Sequence, residues 1–278
     1  MNEKVRLLDG ALGTMLWNLS GTTGDVWQLN ITQPDTVKKL HEMYIEAGSQ
    51  IISSNTFSVN CFSIKKSDYT TTEIVSAGVK IAKQAAFGKN VKVTLDIGPL
   101  PELLEPYGDL EEEDCIKAYE EIISAGVNEK PDIIFFETFM DVEMLKIAVS
   151  VASKYDIPIF CSMTFEPIGK TMMGNSVDDM IANLKEFDIA AMGINCSNEP
   201  SLLMDVIKSF KGKTDKPLIF KPNAGLPSQQ NGKDVYKSDE EIFAHDMLAS
   251  LELGEIYIGG CCGTTPNHIK NLKEMIKL

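Results

Sequence analysis

The chain has 278 residues, of which 44% are hydrophobic, and a chain of this size can bury a large apolar core without disulfides. Its net charge of −14 argues against binding to nucleic acids or anionic membranes, because both require basic surfaces. The N-terminus does not resemble a secretory signal, and no apolar run approaches the roughly 20 residues of a membrane span. Six scattered cysteines do not form a disulfide pattern, so we expect a reducing, cytoplasmic location.

Short apolar runs alternate with helical patterns from one end of the chain to the other. The runs are rich in Val, Ile and Phe and are mostly continuous, which is typical of parallel strands covered on their outer face. In chain order, we predict strands at residues 5–9, 50–55, 91–96, 132–137, 158–165, 189–195, 217–222 and 255–260.

Amphipathic stretches lie between the predicted strands. Apolar residues recur with a helical period in segments 37–47, 142–152 and 269–276. Pro34 and Pro266 fit the first turns of two of these helices. Eight strands that alternate with eight helices predict one α/β domain over residues 1–278, a (β/α)8 TIM barrel, with a doubly wound open sheet as the alternative.

The two kinds of connection differ in length. Helix-to-strand connections are short, whereas several strand-to-helix connections are long. In a barrel all strand-to-helix loops lie on the C-terminal rim, so we expect the active site there. The long connections are residues 10–33, 56–72, 97–110, 166–175 and 223–237.

Three of the six cysteines follow predicted strands that are separated by one strand. Cys196 ends the sixth strand, and Cys261 and Cys262 end the eighth. Strand ends become polar where they meet solvent, but that does not explain cysteine, which is usually buried. Three thiolates can occupy three corners of a zinc tetrahedron and leave the fourth open for catalysis. A redox dithiol and a pair of buried small side chains are the alternatives.

Adjacent residues of a regular strand point to opposite faces. Cys261 and Cys262 can therefore face one metal ion only if the backbone leaves strand geometry there. Gly259, Gly260 and Gly263 supply that conformational freedom. A zinc ion with three thiolate ligands suits the binding of a substrate thiol as its nucleophilic thiolate.

Six motifs, in order along essentially the whole chain, resemble the homocysteine S-methyltransferase family. The similarity is strongest to the homocysteine-binding domain of cobalamin-dependent methionine synthases. The motifs are LLDGALGTML at 7–16, SSNTF at 53–57, ETF at 137–139, GINCS at 193–197, KPNAG at 221–225 and GGCCGTTPNHI at 259–269.

The resemblance implies a zinc-bearing barrel that transfers a methyl group to the sulfur of homocysteine and forms methionine. It implies that one Zn²⁺ is held by Cys196, Cys261 and Cys262, which are also the catalytic residues. It implies that Glu137 holds the substrate ammonium and that the pocket is shaped by backbone amides after Asp9. The substrate-binding residues that it implies are Asp9, Gly10, Ala11, Thr56, Glu137 and Asn223.

The sequence contains no D-x-H-x-x-G corrinoid-binding signature. We therefore expect the methyl group to come from a methylcorrinoid protein, or from methionine synthase modules, on a separate chain. A small onium donor such as S-methylmethionine or a betaine is the first alternative, and a metal-free thiol-redox barrel is the second. Trp17 and Trp27 in the long first loop either contribute to a docking surface or pack that loop.

Overall fold

The structure, a computed structural model, describes residues 4–230, 233–236 and 239–277. Eight parallel strands form a nearly closed barrel, which confirms the predicted fold class. In chain order the strands are β1 (Val5–Leu7), β2 (Ile51–Ser53), β3 (Lys92–Ile97), β4 (Ile133–Phe139), β5 (Ile159–Met163), β6 (Ile189–Cys196), β7 (Leu218–Pro222) and, after a hairpin of β8 (Pro227–Gln230) and β9 (Lys233–Tyr236), β10 (Ile256–Ile258).

Helices cover the outside of the barrel. The first connection carries two short helices, α1 (Gly13–Ser20) and α2 (Leu29–Thr32), joined by a 3-10 turn at Val26–Gln28. A further 3-10 turn, Leu248–Leu253, precedes β10. The eight outer helices are α3 (Pro34–Ala47), α4 (Thr71–Ala86), α5 (Glu112–Val127), α6 (Val142–Ala152), α7 (Val177–Leu184), α8 (Pro200–Lys208), α9 (Glu240–Met247) and α10 (Pro266–Ile276).

The helix boundaries follow local signals. Pro34 and Pro266 begin α3 and α10, as predicted. Thr70 caps α4, because its hydroxyl accepts from the Glu73 amide while the Glu73 carboxylate accepts from the Thr70 amide. None of the helices in the described part of the chain is both long and apolar enough to cross a membrane.

The barrel has a seam between β1 and β2, where one backbone hydrogen bond and two bonds to side chains take the place of a regular strand ladder. The Gln50 amide donates to the Leu7 carbonyl (2.8 Å), and the Leu7 amide donates to Gln50 Oε1 (3.0 Å). The Ser53 amide donates to Asp9 Oδ2 (2.6 Å). A residue at the rim therefore helps to close the cylinder.

Inward-facing apolar side chains fill the lower part of the barrel. Phe135 and Phe160 meet edge to face with their ring centroids 6.1 Å apart. Full burial of one such ring stabilises the fold by roughly 2–3 kcal/mol. We call this cluster the apolar floor, and its members are Leu8, Ile51, Ile133, Phe135, Phe160, Ala191 and Ile219.

Two sequence predictions need correction. The last strand ends at Ile258 rather than at residue 260, where the backbone passes into the turn at Cys261–Thr264, although the amides of Gly259 and Cys261 still donate to the carbonyls of Phe220 (3.1 Å) and Pro222 (2.8 Å) on β7. The long connection predicted at 223–237 contains the hairpin of β8 and β9. Positions 231, 232 and 237 of that connection lie outside the described residues.

Candidate metal and substrate site

Cys196, Cys261 and Cys262 meet at the C-terminal rim, as the sequence predicted. Their sulfur atoms all lie within 4.8 Å of one another. Zinc–sulfur bonds of about 2.3 Å in a tetrahedron separate the sulfurs by about 3.8 Å, so a small contraction suffices to bring all three onto one ion. The donor set therefore fits zinc, with one corner left for another ligand.

A tight turn explains how two adjacent cysteines face the same point. The Thr264 amide donates to the Cys261 carbonyl (3.1 Å), which closes a four-residue turn. Gly263 occupies its third position with φ +81°, a value that favours glycine. A Cβ on Gly260 would clash with Thr264, so this glycine serves close packing rather than an unusual φ.

Cys196 lies in strained backbone. Cys196 and Ser197 have φ values of 64° and 65°, and Thr138 on β4 has 66°. Residues other than glycine seldom adopt this left-handed conformation, which costs of order 1–3 kcal/mol and is found most often at functional sites. The strained backbone therefore lies at the end of β6, where Cys196 contributes the third sulfur of the cluster.

Asn195 anchors the cysteine cluster to three strands. Its Oδ1 accepts from the Thr138 amide (2.7 Å) and from Ser162 Oγ (2.7 Å). Its Nδ2 donates to Thr138 Oγ1 (2.7 Å) and lies 3.9 Å from Cys261 Sγ. Hydrogen bonds of this kind orient ligands around a metal and tune its chemistry.

The protein groups around the thiols hold them protonated. The pKa of Cys261 is raised well above its ordinary value, first by its hydrogen bond with Cys196 and further by burial and by the charges of Cys196 and Glu137. A bound divalent metal would reverse this effect, because it deprotonates its thiol ligands.

Four ionisable side chains form a layer directly above the apolar floor. Lys221 Nζ lies 3.1 Å from Glu137 Oε2 and 3.4 Å from Asp9 Oδ1, and it is 5.3 Å from the centre of the Phe135 ring. Asp96 is the fourth member, and all four are at most 8% exposed. We call Asp9, Asp96, Glu137 and Lys221 the charged layer.

A cavity of about 350 Å³ connects these groups with the surface. Asp96, Glu137 and Lys221 line its inner part, and the three cysteines line one wall. Trp17 and Phe57, which are 43% and 38% exposed, lie at its mouth. A small thiol that enters the cavity can therefore contact the cysteine cluster and the charged layer together.

Residues 6–276 match the family model of homocysteine S-methyltransferases. The chain belongs to the homocysteine S-methyltransferase family. It is 28% identical to a methionine synthase of Mycobacterium leprae over 99% of its own length and 24% of that protein. A methionine synthase of Mycobacterium tuberculosis is 27% identical over 99% of this chain and 25% of the relative. The chain thus spans about a quarter of the length of these relatives.

Solved structures agree on the fold. The homocysteine methyltransferase MmuM of Escherichia coli in its oxidized form superposes with a TM-score of 0.83, covering 98% of this chain and 96% of that one at 19% identity. Its metallated form gives a TM-score of 0.82 at 19% identity over the same shares of the two chains. At this level of identity the likeness supports the barrel, and the family match supports methyltransferase chemistry.

The substrate residues implied by the family resemblance fall into two groups. Gly10, Ala11 and Glu137 line the cavity, although the Ala11 amide already donates to Thr264 Oγ1 (3.1 Å). A Cβ on Gly10 would lie 2.7 Å from Thr264 Oγ1, so only glycine fits between Thr264 and Tyr44.

The other three residues contact the groups that form the wall. Asp9 pairs with Lys221, and Thr56 Oγ1 donates to the Asp96 carbonyl (2.7 Å). Asn223 Nδ2 donates to the Ser197 carbonyl (2.8 Å), which holds the backbone next to Cys196. The structure places Asp9, Thr56 and Asn223 around the cavity rather than among its lining residues.

Sequence reasoning did not assign a role to Lys221 or Asn195. The signal for Lys221 was available, because a lysine inside a strand predicted to be buried on both faces requires a counter-ion. The signal for Asn195 was weaker, since an asparagine at a strand end usually serves a turn. Trp27 is buried and packs the first loop, whereas Trp17 reaches the cavity mouth.

Proposed function

We propose that the chain transfers a methyl group to the thiol of homocysteine, forming methionine, at a zinc ion held by Cys196, Cys261 and Cys262. The observation that carries the proposal is the meeting of three cysteine sulfurs within 4.8 Å at the wall of the cavity. When bound there, zinc would supply the positive charge that keeps a substrate thiol ionised at neutral pH.

The protein's own residues orient the two ends of the substrate. Glu137 is within the cavity and carries the charge that pairs with an α-ammonium group. Asn195 Nδ2 lies 3.9 Å from Cys261 Sγ and helps to orient that sulfur at the wall of the cavity. The substrate sulfur then attacks the methyl carbon of the donor. A carbon–sulfur bond forms, the bond between methyl and donor breaks, and the thiol proton goes to solvent.

A metal in this fold is supported from outside the chain as well. The E. coli homocysteine methyltransferase MmuM is known in a metallated form. The competing function is a thiol-redox barrel, in which Cys196 and Cys261 or Cys262 form a reversible disulfide. Metal content separates the two functions directly.

The first experiment is metal analysis of protein purified anaerobically with reductant. We expect about one zinc per chain in the wild type and none in Cys261→Ser or Cys196→Ser. Cys61→Ser is the matched control, since Cys61 is exposed and outside the cluster. Freshly reduced wild type that contains no zinc, and that forms a reversible Cys196 disulfide when an oxidant is added, would establish the redox function instead.

We further propose that the methyl donor is a methylcorrinoid protein on a separate chain or module. The matched relatives are methionine synthases about four times as long as the region of similarity, which supports a macromolecular donor. The exposed aromatic rings of Trp17 and Phe57 at the mouth offer it an apolar contact surface. The indole of Trp17 is fixed there, because its Nε1 donates to the Gly24 carbonyl (2.9 Å).

The same aromatic rings favour the second candidate donor, a small onium compound, because cations bind to aromatic faces. A donor panel with homocysteine held constant separates them. Methionine formed from methylcobalamin, and not from S-methylmethionine or betaine, supports the corrinoid donor. The opposite pattern would assign the onium donor and leave the methyl acceptor unchanged.

A further inference from the structure

Asp96 is a buried carboxyl group with an unused hydrogen-bonding atom. Its side chain lines the inner part of the cavity and the residue is 2% exposed. Within the part of the chain that the structure describes, its Oδ1 is buried without a hydrogen-bond partner. Buried polar atoms are nearly always satisfied, so an unpartnered oxygen on a residue that lines the cavity marks a position where a donor from a ligand would be stabilising.

Asp96 and Glu137 face the same space. Asp96 on β3 is in register with Phe135 on β4, and Glu137 lies two residues beyond Phe135. Side chains two residues apart on a strand point to the same face. Both carboxyl groups therefore project into the barrel at neighbouring positions above the apolar floor.

Lys221 does not supply the missing partner. An ammonium group has three donors. Two of those of Lys221 are used by Glu137 (3.1 Å) and Asp9 (3.4 Å), and among the described residues Lys221 makes no hydrogen bond to Asp96. Lys221 thus acts as an internal counter-ion that holds two carboxylates in place.

The charged layer has an excess of negative charge that one more cation would balance. Lys221 contributes one positive charge against the two negative charges of Asp9 and Glu137, which leaves one negative charge before Asp96 is counted. The pKa of Asp96 is raised well above its ordinary value, first by burial and then by the charge of Glu137. A bound cation would satisfy the orphan oxygen and balance the charge.

We propose that Asp96 is a second anchor for the amino group of the substrate, so that the α-ammonium lies between Asp96 and Glu137. This inference rests on the proposed function, because homocysteine is the amino-acid thiol that the function brings into the cavity. It makes Asp96 a specificity-determining residue, which selects amino-acid thiols over thiols without an amino group.

The test compares two thiols that differ only in the amino group, L-homocysteine and 4-sulfanylbutanoate. Their dissociation constants are measured by calorimetry on zinc-loaded protein. We expect the wild type to bind homocysteine at least about tenfold more tightly. In Asp96→Asn we expect homocysteine binding to weaken about tenfold or more, while 4-sulfanylbutanoate binding changes by less than about twofold.

Asp68→Asn is the matched control, since Asp68 is exposed and does not line the cavity. It removes the same charge where solvent screens it, so we expect both dissociation constants to stay within about twofold. Zinc content and melting temperature establish that each variant is folded. Asp96→Ser serves as a second variant, because it also removes the carboxyl group and leaves space for water.

The outcomes separate the inference from the function on which it rests. If Asp96→Asn or Asp96→Ser binds homocysteine as tightly as the wild type, Asp96 is not an anchor, and the proposed function is unaffected. If the wild type binds both thiols equally, the amino group is not recognised, and the inference is wrong. If the wild type binds neither thiol, the proposed function is overturned together with the inference.

Discussion

The apolar floor and the site above it are built on the same strands but have opposite chemistry. On β4, Phe135 belongs to the floor and Glu137, two residues later, belongs to the charged layer. On β7, Ile219 and Lys221 are related in the same way. The floor contributes stability through hydrocarbon packing, whereas the layer above keeps buried charges that the fold must balance. Residues two positions apart on the same strand thus belong first to the apolar floor and then to the charged layer.

The largest expected effect is on the site alone. Cys261→Ser removes one of three sulfur ligands, so we expect zinc affinity to fall by more than about 100-fold, because changes to outer groups already cost 10–100-fold. Methyl transfer should fall with it. The unfolding free energy of the chelator-treated variant should stay within about 1 kcal/mol of equally treated wild type, measured by urea denaturation. A large loss of stability without metal would show that Cys261 belongs to the packing core.

The reverse effect is expected from the floor. Phe160→Ala should lower the unfolding free energy by about 3–5 kcal/mol, because it leaves a cavity beneath the site. The folded fraction should still bind one zinc per chain. Phe87→Ala is the matched control, since Phe87 is 87% exposed, and its cost should be within about 0.5 kcal/mol. Equal costs for the two variants would contradict the assignment of the floor as the stabilising layer.

A charge removed from the layer should also cost stability. Lys221→Met leaves Asp9 and Glu137 buried without their counter-ion, and we expect a loss of about 3 kcal/mol at pH 7 in chemical denaturation. Lys213→Met breaks an ion pair with Asp178 of only 2.8 Å, but an exposed one. Its cost should be below about 1 kcal/mol. If the exposed pair costs as much as the buried pair, burial is not the decisive factor.

The smallest effect at neutral pH concerns a buried polar group outside the barrel interior. His41 on α3 is fully buried, neither ring nitrogen has a hydrogen-bond partner among the described residues, and burial lowers its pKa from 6.5 to about 4. Between pH 6.5 and 4 the His41 imidazole therefore binds a proton in the unfolded chain but stays neutral in the folded chain. Stability should fall as the pH drops through this window, by about 3 kcal/mol in total.

The variant His41→Leu isolates that contribution. Its unfolding free energy should fall less steeply than that of the wild type between pH 6.5 and 4, when both are measured by denaturation at several pH values. Parallel curves for the two proteins would mean that His41 is protonated in the fold or contacts solvent. In either case its burial would not account for the acid sensitivity.

Local patterns were sufficient to predict the barrel and the meeting of the cysteines. Continuous apolar runs and helical periods identify the eight repeated units, and the topology of a barrel then brings Cys196, Cys261 and Cys262 to one rim. The turn at residues 261–264 could be anticipated too, because Gly263 permits the positive φ that it needs. These features depend on neighbouring residues and on a topology with few alternatives.

The charged layer could not be predicted in the same way. Lys221 contacts Asp9, 212 residues away, and Glu137, 84 residues away, so its partners depend on the register of three strands. The role proposed for Asp96 likewise depends on an oxygen that remains unpaired after folding, and Thr56 finds its partner, the Asp96 carbonyl, only in the folded chain. The hairpin of β8 and β9 was missed because its polar sequence is typical of a loop.

The seam between β1 and β2 gives Asp9 two roles at once. One of its carboxylate oxygens accepts the Ser53 amide across the seam, and the other faces Lys221 in the charged layer. A substitution that removed the charge of Asp9 would also remove the hydrogen bond that joins β1 to β2. A substitution of Asp9 is therefore expected to change both the closure of the barrel and the charge of the proposed site. Variants with altered substrate preference are expected to arise at other residues of the charged layer.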